Sequence, residues 1–104
     1  MNFDFKSARH WAEELIRQAV EPGARVIDAT MGNGYDTQWL AELVGESGHV
    51  YGFDIQLEAV NRTRDRLAAA GLENRATLFH AGHEHIAELV REPVDAVVFN
   101  LGWL

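Results

Sequence analysis

The sequence contains no cysteine, which excludes a disulfide framework and any thiolate chemistry. It has two prolines, and both, Pro22 and Pro93, fall between patterned segments. No apolar run approaches the roughly 20 residues needed to cross a membrane. The opening Met1-Asn2-Phe3-Asp4-Phe5-Lys6 has no apolar stretch of the kind that marks a secretory signal. A cytoplasmic protein with no membrane partner is therefore expected. Positive charge is scarce: 9 Lys and Arg stand against 16 Asp and Glu, a formal net charge of −7. Such a chain gains little overall from the counterion release that drives non-specific nucleic-acid binding. The basic residues that do cluster, Arg62, Arg64 and Arg66, share their segment with Glu58 and Asp65 and read as a solvated helix face. There is no linker, internal repeat or low-complexity segment. At 104 residues, 47% of them apolar, the expectation is one domain over residues 1–104 with a core of modest size.

What is present centres on Arg25-Val26-Ile27-Asp28-Ala29-Thr30-Met31-Gly32-Asn33-Gly34-Tyr35-Asp36. An apolar strand runs into an aspartate, a glycine-bearing turn follows, and a helix starts near Asp36. Parallel α/β folds bind nucleotides at such turns. Gly32 and Gly34 allow a sharp bend and close approach of a ligand. The turn is not a dinucleotide fingerprint, because the third glycine of that motif would fall at Thr37. It is not a P-loop either, because no Gly-Lys-Ser/Thr follows. The aspartate before the glycines, with a second acid ending the next strand, is similar to the S-adenosylmethionine (SAM) loop of class I methyltransferases.

The rest of the chain alternates helix and strand. Residues 7–20 predict a helix that buries a stripe of Ala8, Trp11, Ala12, Leu15, Ile16 and Ala19. Ser7 or Asp4 is available to cap it, and Pro22-Gly23 stops it. Strands are expected over 25–29, 49–54, 76–80 and 94–100. Helices are expected over 36–44, 57–70 and 84–90, with Asp36 capping the first of these and Gly71 closing the second. This alternation implies a parallel sheet with right-handed crossovers and helices on both faces.

Four segments resemble one family. Asp28 to Thr37, Phe53-Asp54-Ile55-Gln56, His80-Ala81-Gly82-His83-Glu84 and Phe99-Asn100-Leu101-Gly102-Trp103-Leu104 are similar to motifs of the bacterial SAM-dependent rRNA methylase family. Phe3 to Ala8 resembles its opening. Gly82 stands where that family usually has serine. The resemblance implies a Rossmann-like fold with strand order third, second, first, fourth. It implies SAM as cofactor, and as substrate the amine of 5-aminomethyl-(2-thio)uridine at the tRNA wobble position. The family continues beyond its last motif into Pro-Gly-Gly-Asp and about as much chain again. The sequence is thus expected to hold the SAM-binding half of that fold, to bind tRNA weakly if at all, and to be inactive or non-catalytic alone.

Asp28 and Asp54 are the strongest site candidates. Asp54 follows Gly32 by 22 positions, the distance at which an acid meets ribose hydroxyls. Asp28 is expected to orient the loop and the methionine end of SAM. The alternative is that both merely end strands. With Gly32, Asn33, Gly34, Asp36, Thr37, Gln56 and His83 they form the expected cofactor set. The spacing of His80, His83 and His85 does not gather them on one helical face, so no metal is expected. His83 lies beside adenine if the resemblance holds. Asn100 is the candidate for aiming the acceptor amine by a side-chain hydrogen bond, and belongs to the cofactor set as well. The fourth strand would lie at a sheet edge with apolar side chains, which predicts a homo-oligomer through that strand.

Overall fold

The computed structural model describes the backbone of residues 5–99 and the side chains of residues 7–99. It contains α1 (Phe5–Ala19), β1 (Arg25–Asp28), α2 (Tyr35–Val44), β2 (His49–Asp54), α3 (Leu57–Ala69), β3 (Ala76–His80), α4 (Ile86–Leu89) and β4 (Ala96–Val98). Single 3₁₀ turns over Glu73–Arg75 and His83–His85 precede β3 and α4. The four strands form one parallel sheet in the order β3-β2-β1-β4, as expected.

Each strand starts where a turn releases the chain from a helix. After α1, Gly23 takes φ 93° and donates its N–H to Val44 O at 2.8 Å. That bond ties the turn before β1 to the end of α2. Gly71 takes φ 72° after α3, the left-handed position glycine tolerates best. Alternation then sorts side chains to the two sheet faces. Val26, Val50 and Val98 meet Leu40, Ala41 and Val44 of α2 and Leu67 of α3. Ile27, Tyr51 and Phe53 face the other way, against Phe79, Ile86 and Val90. Phe53 and Phe79 stack at 4.9 Å between centroids. Burying each such aliphatic or aromatic side chain contributes about 1.5–3 kcal/mol, so both sheet faces share in stabilising the sheet that carries the site.

Four expectations need correction. The apolar stripe of α1 is only partly buried: Trp11 and Leu15 are 61% and 62% exposed, while Ile16 packs on the core. Periodicity shows which residues share a face, not whether anything lies opposite it. Ser7 lies inside α1 rather than at its start. Helix α2 begins at Tyr35, with Gly34 as its capping residue and no side-chain cap. Among the described residues the β4 ladder covers Ala96–Val98 rather than starting at Val94, because at its entry the Arg25 N–H donates to the Asp95 side chain instead of to a backbone carbonyl. Among the described residues no helix is long and apolar enough to cross a membrane.

Candidate cofactor site

The site is built where β1 and β2 end. Asp54, the last residue of β2, uses both carboxylate oxygens on backbone. Its Oδ2 accepts the Gly32 N–H and its Oδ1 accepts the Gln56 N–H, each at 2.9 Å. Met31 N–H donates to Phe53 O at 3.0 Å. Its side chain packs so closely over Gly52 that a Cβ there would sit 2.5 Å from Met31 Sδ. The loop after β1 is thereby fastened to the end of β2. Asp54 is 7% exposed. Each of its oxygens keeps a further lone pair, so the carboxylate can accept hydroxyl donors without releasing the loop.

The two loop glycines serve different ends. Gly32 takes φ 56° and a Cβ there would meet nothing within 4 Å. Its open side is room for a ligand. Gly34 takes φ 88°, and a Cβ there would lie 2.8 Å from Thr63 Oγ1 and 2.9 Å from Thr63 Cα. Gly34 therefore lets the start of α2 lie against α3, a packing role that sequence spacing does not separate from the ligand role of Gly32.

Beneath the loop, Asp28 and Thr37 face each other. Thr37 Oγ1 donates to Asp28 Oδ2 at 2.7 Å, and the Thr30 N–H donates to Oδ1 at 3.3 Å. Both side chains are buried, at 1% and 0% exposure. Burial pushes the Asp28 carboxyl up to about 7, against the lowering effect of its Thr37 and Thr30 hydrogen bonds, with the Asp36 and Asp54 charges adding to the rise. Where a dinucleotide fingerprint would place its third glycine, this chain ties helix to strand through a threonine hydroxyl.

The remaining candidates disperse. Asp36 does not cap α2. Its Oδ1 accepts Arg9 Nη2 of α1 at 2.7 Å, which joins the first helix to the loop. Asn33 is exposed, and its carbonyl accepts Arg66 Nε at 3.0 Å. Gln56 contributes its backbone N–H to Asp54 while its side chain is exposed. The three histidines go separate ways. His80 Nε2 lies 3.0 Å from Ile55 O. His85 approaches Glu84 and Glu88. The exposed His83 ring stands edge-on to Phe99 at 6.0 Å between centroids. Asn100 lies outside the described residues. The strand leading to it is held at the loop, because the Ala29 N–H donates to Val98 O at 2.9 Å. The ties of Arg9 to Asp36 and Arg66 to Asn33 are long-range pairs that no motif signals.

A family model described as "Putative rRNA methylase" matches residues 50–104, which include β2 with Asp54 and the segments of His83 and Asn100. The chain belongs to this family. Three proteins similar to this rRNA methylase family member place it further. The chloroplastic tRNA (mnm(5)s(2)U34)-methyltransferase of Arabidopsis thaliana is 38% identical over 98% of this chain and 41% of its own length. The structure of a protein from Clostridium thermocellum described as a putative rRNA-methylase superposes with a TM-score of 0.89 at 43% identity, over 98% of this chain and 55% of that one. A methyltransferase from Streptococcus mutans, described as putative and solved in complex with S-adenosylhomocysteine (SAH), gives 0.81 at 34% identity, over 100% and 55%. The fold is that of class I SAM-dependent methyltransferases. The chain spans about half the length of these relatives.

Proposed function

We propose that this chain is the SAM-binding part of a methyltransferase whose acceptor is the amine of 5-aminomethyl-(2-thio)uridine at the tRNA wobble position. One observation carries the cofactor reading: the Asp54 carboxylate closes the end of β2 onto Gly32, whose outer side is open. The donor set fits SAM. Asp54 retains acceptor capacity for two vicinal ribose hydroxyls, Gly32 leaves space above the loop, and the His83–Phe99 pair provides ring surface. Asp28, buried below, holds the loop in place for the methionine end. SAM, when bound, supplies an electrophilic methyl group on a sulfonium.

The protein's part in methyl transfer is chiefly to hold the acceptor nitrogen in line with that carbon. Asn100 would do this by accepting a hydrogen bond from the amine and aiming its lone pair. The amine must be neutral to attack. The tRNA acceptor is supported by the resemblance of the motifs and by the name of the Arabidopsis relative.

A second reading, a SAM-binding or assembly module without turnover of its own, is favoured by the formal net charge of −7, which gains little from counterion release on tRNA. Methyl incorporation from SAM into tRNA carrying 5-aminomethyluridine, measured beside SAH binding, separates the two. We expect SAH binding without turnover by the 104-residue chain. Turnover comparable to that of a full-length relative would eliminate the second reading. Absence of SAH binding would eliminate the first reading and leave only the assembly module.

A further inference from the structure

Of the three arginines on α3, two differ from the third in surroundings. Arg62 and Arg66, four residues apart, line one groove of about 500 Å³ with Gln38 of α2, Asp65, Ala69 and Ala70. Arg64 lies on the other side of the helix, bonded to Asn61 and lining a different depression with Glu73. Neither Arg62 nor Arg66 has a carboxylate partner among the described residues; Arg9, Arg17 and Arg25 are paired with acids, and Arg64, Arg75 and Arg91 bond a side-chain amide or a backbone carbonyl. Acids outnumber bases 16 to 9 in the chain, yet the lining of this groove holds two guanidiniums against the single carboxylate of Asp65.

Arg66 is also held in a defined pose. Its guanidinium lies 3.7 Å from the centroid of the Tyr35 ring, and its Nε donates to Asn33 O. Among the described residues its terminal nitrogens donate no further hydrogen bond, and Arg66 lines the groove. Tyr35 is 62% exposed and is the first residue of α2, directly after Gly34. One end of the groove therefore abuts the glycine loop with an aromatic plane, and the two arginines continue along it.

We propose that this α2–α3 groove binds the sugar-phosphate backbone of single-stranded RNA, with Arg62 and Arg66 on phosphates and Tyr35 stacking a base. The solvated-face reading of the arginines then holds for Arg64 alone. Guanidiniums beside an exposed aromatic are the usual means of holding unpaired nucleotides. Asp65 on the same wall keeps the local charge sparse. That pattern suits a chain with one charge per nucleotide better than a compact polyphosphate. The inference rests on the RNA-methyltransferase reading and names where its substrate would lie beside the loop.

The test is fluorescence anisotropy of a labelled RNA hairpin with an unpaired loop, titrated with the full chain over a salt series. Arg62→Glu and Arg64→Glu make the same charge change on the same helix in different grooves. Expected is an approximately tenfold or greater loss of affinity for Arg62→Glu, with a salt slope reduced by about one. Arg64→Glu should stay within roughly threefold of wild type, because exposed charges are largely screened from one another beyond about 10 Å and Arg64 lines a different depression. Tyr35→Ala should lower the preference for the hairpin over a fully paired duplex of the same length. Equal effects of the two glutamate variants, an unchanged preference in Tyr35→Ala, or no hairpin binding by the wild type at low salt would each overturn the proposal. SAH affinity of Arg62→Glu, read by calorimetry, keeps the two readings apart. SAH binding intact with RNA binding undisturbed refutes only the groove, whereas SAH binding absent from the wild type refutes the cofactor site.

Discussion

Two carboxylates at strand ends look alike in the sequence and behave differently in the fold. Asp54 is anchored by two backbone N–H groups. Asp54→Ala removes both the loop anchor and the proposed ribose acceptor. Each hydrogen bond to a charged carboxylate contributes about 1.5–3 kcal/mol. SAH affinity by calorimetry should therefore fall by about tenfold or more, while an unchanged affinity would make Asp54 only a strand end. Asp28 is governed by burial. Its carboxyl titrates near 7 in the fold against an ordinary 3.8. The folded state thus keeps a proton that the unfolded chain has already lost. The stability due to the neutral carboxyl is full below about pH 4 and is lost as pH rises toward 7. Denaturant unfolding of wild type and Asp28→Asn across this window should show wild type losing stability relative to the variant as pH rises. Parallel curves would place the Asp28 carboxyl near its ordinary value. The position of Asp28 was readable from the motif. Its protonation was not, because that depends on Thr37 and the α2 turn closing over it.

At the scale of elements, the packing of α2 on α3 depends on Gly34. Gly34→Ala sets a methyl carbon against Thr63 backbone in a left-handed conformation, where neither side yields easily. It should lower the thermal midpoint well beyond Gly32→Ala, which meets open space and carries only the left-handed conformational cost of about 1–2 kcal/mol. Gly32→Ala should instead weaken SAH binding in a folded protein. Equal midpoints for the two variants would remove the distinction. The β4 edge gives a second prediction. Its outer face carries Val97 and Phe99, 43% and 60% exposed, while Val98 is 6% exposed in the core. We propose that β4 mediates self-association. Light scattering should then report a dimer or larger species that Val97→Lys dissociates; a monomer at high concentration would contradict it. Val98→Lys would not serve, since it would disrupt the core. The apolar run Ala96-Val97-Val98-Phe99 predicted the strand but not which residue faces out, because pairing register is set by β1.

For the whole molecule, the type of every main element was legible because local signals agreed, and the strand order because the family resemblance implied it. Two of the apolar strands ended in acids, glycines closed turns, and helices stood between. The unreadable parts were contacts between distant segments: Arg9 with Asp36, Arg66 with Tyr35, and the exposure of Trp11 and Leu15 on α1. Each depends on what lies opposite in space. The four-stranded sheet, the class I fold and the loop fastened by Asp54 converge on one claim, that this chain recognises SAM through the crevice at the ends of β1 and β2. Isothermal titration calorimetry of the chain with SAH and with NAD tests it most directly. The account predicts saturable SAH binding, tighter than NAD and weakened by Asp54→Ala. NAD binding tighter than SAH, or no SAH binding by a folded chain, would contradict it.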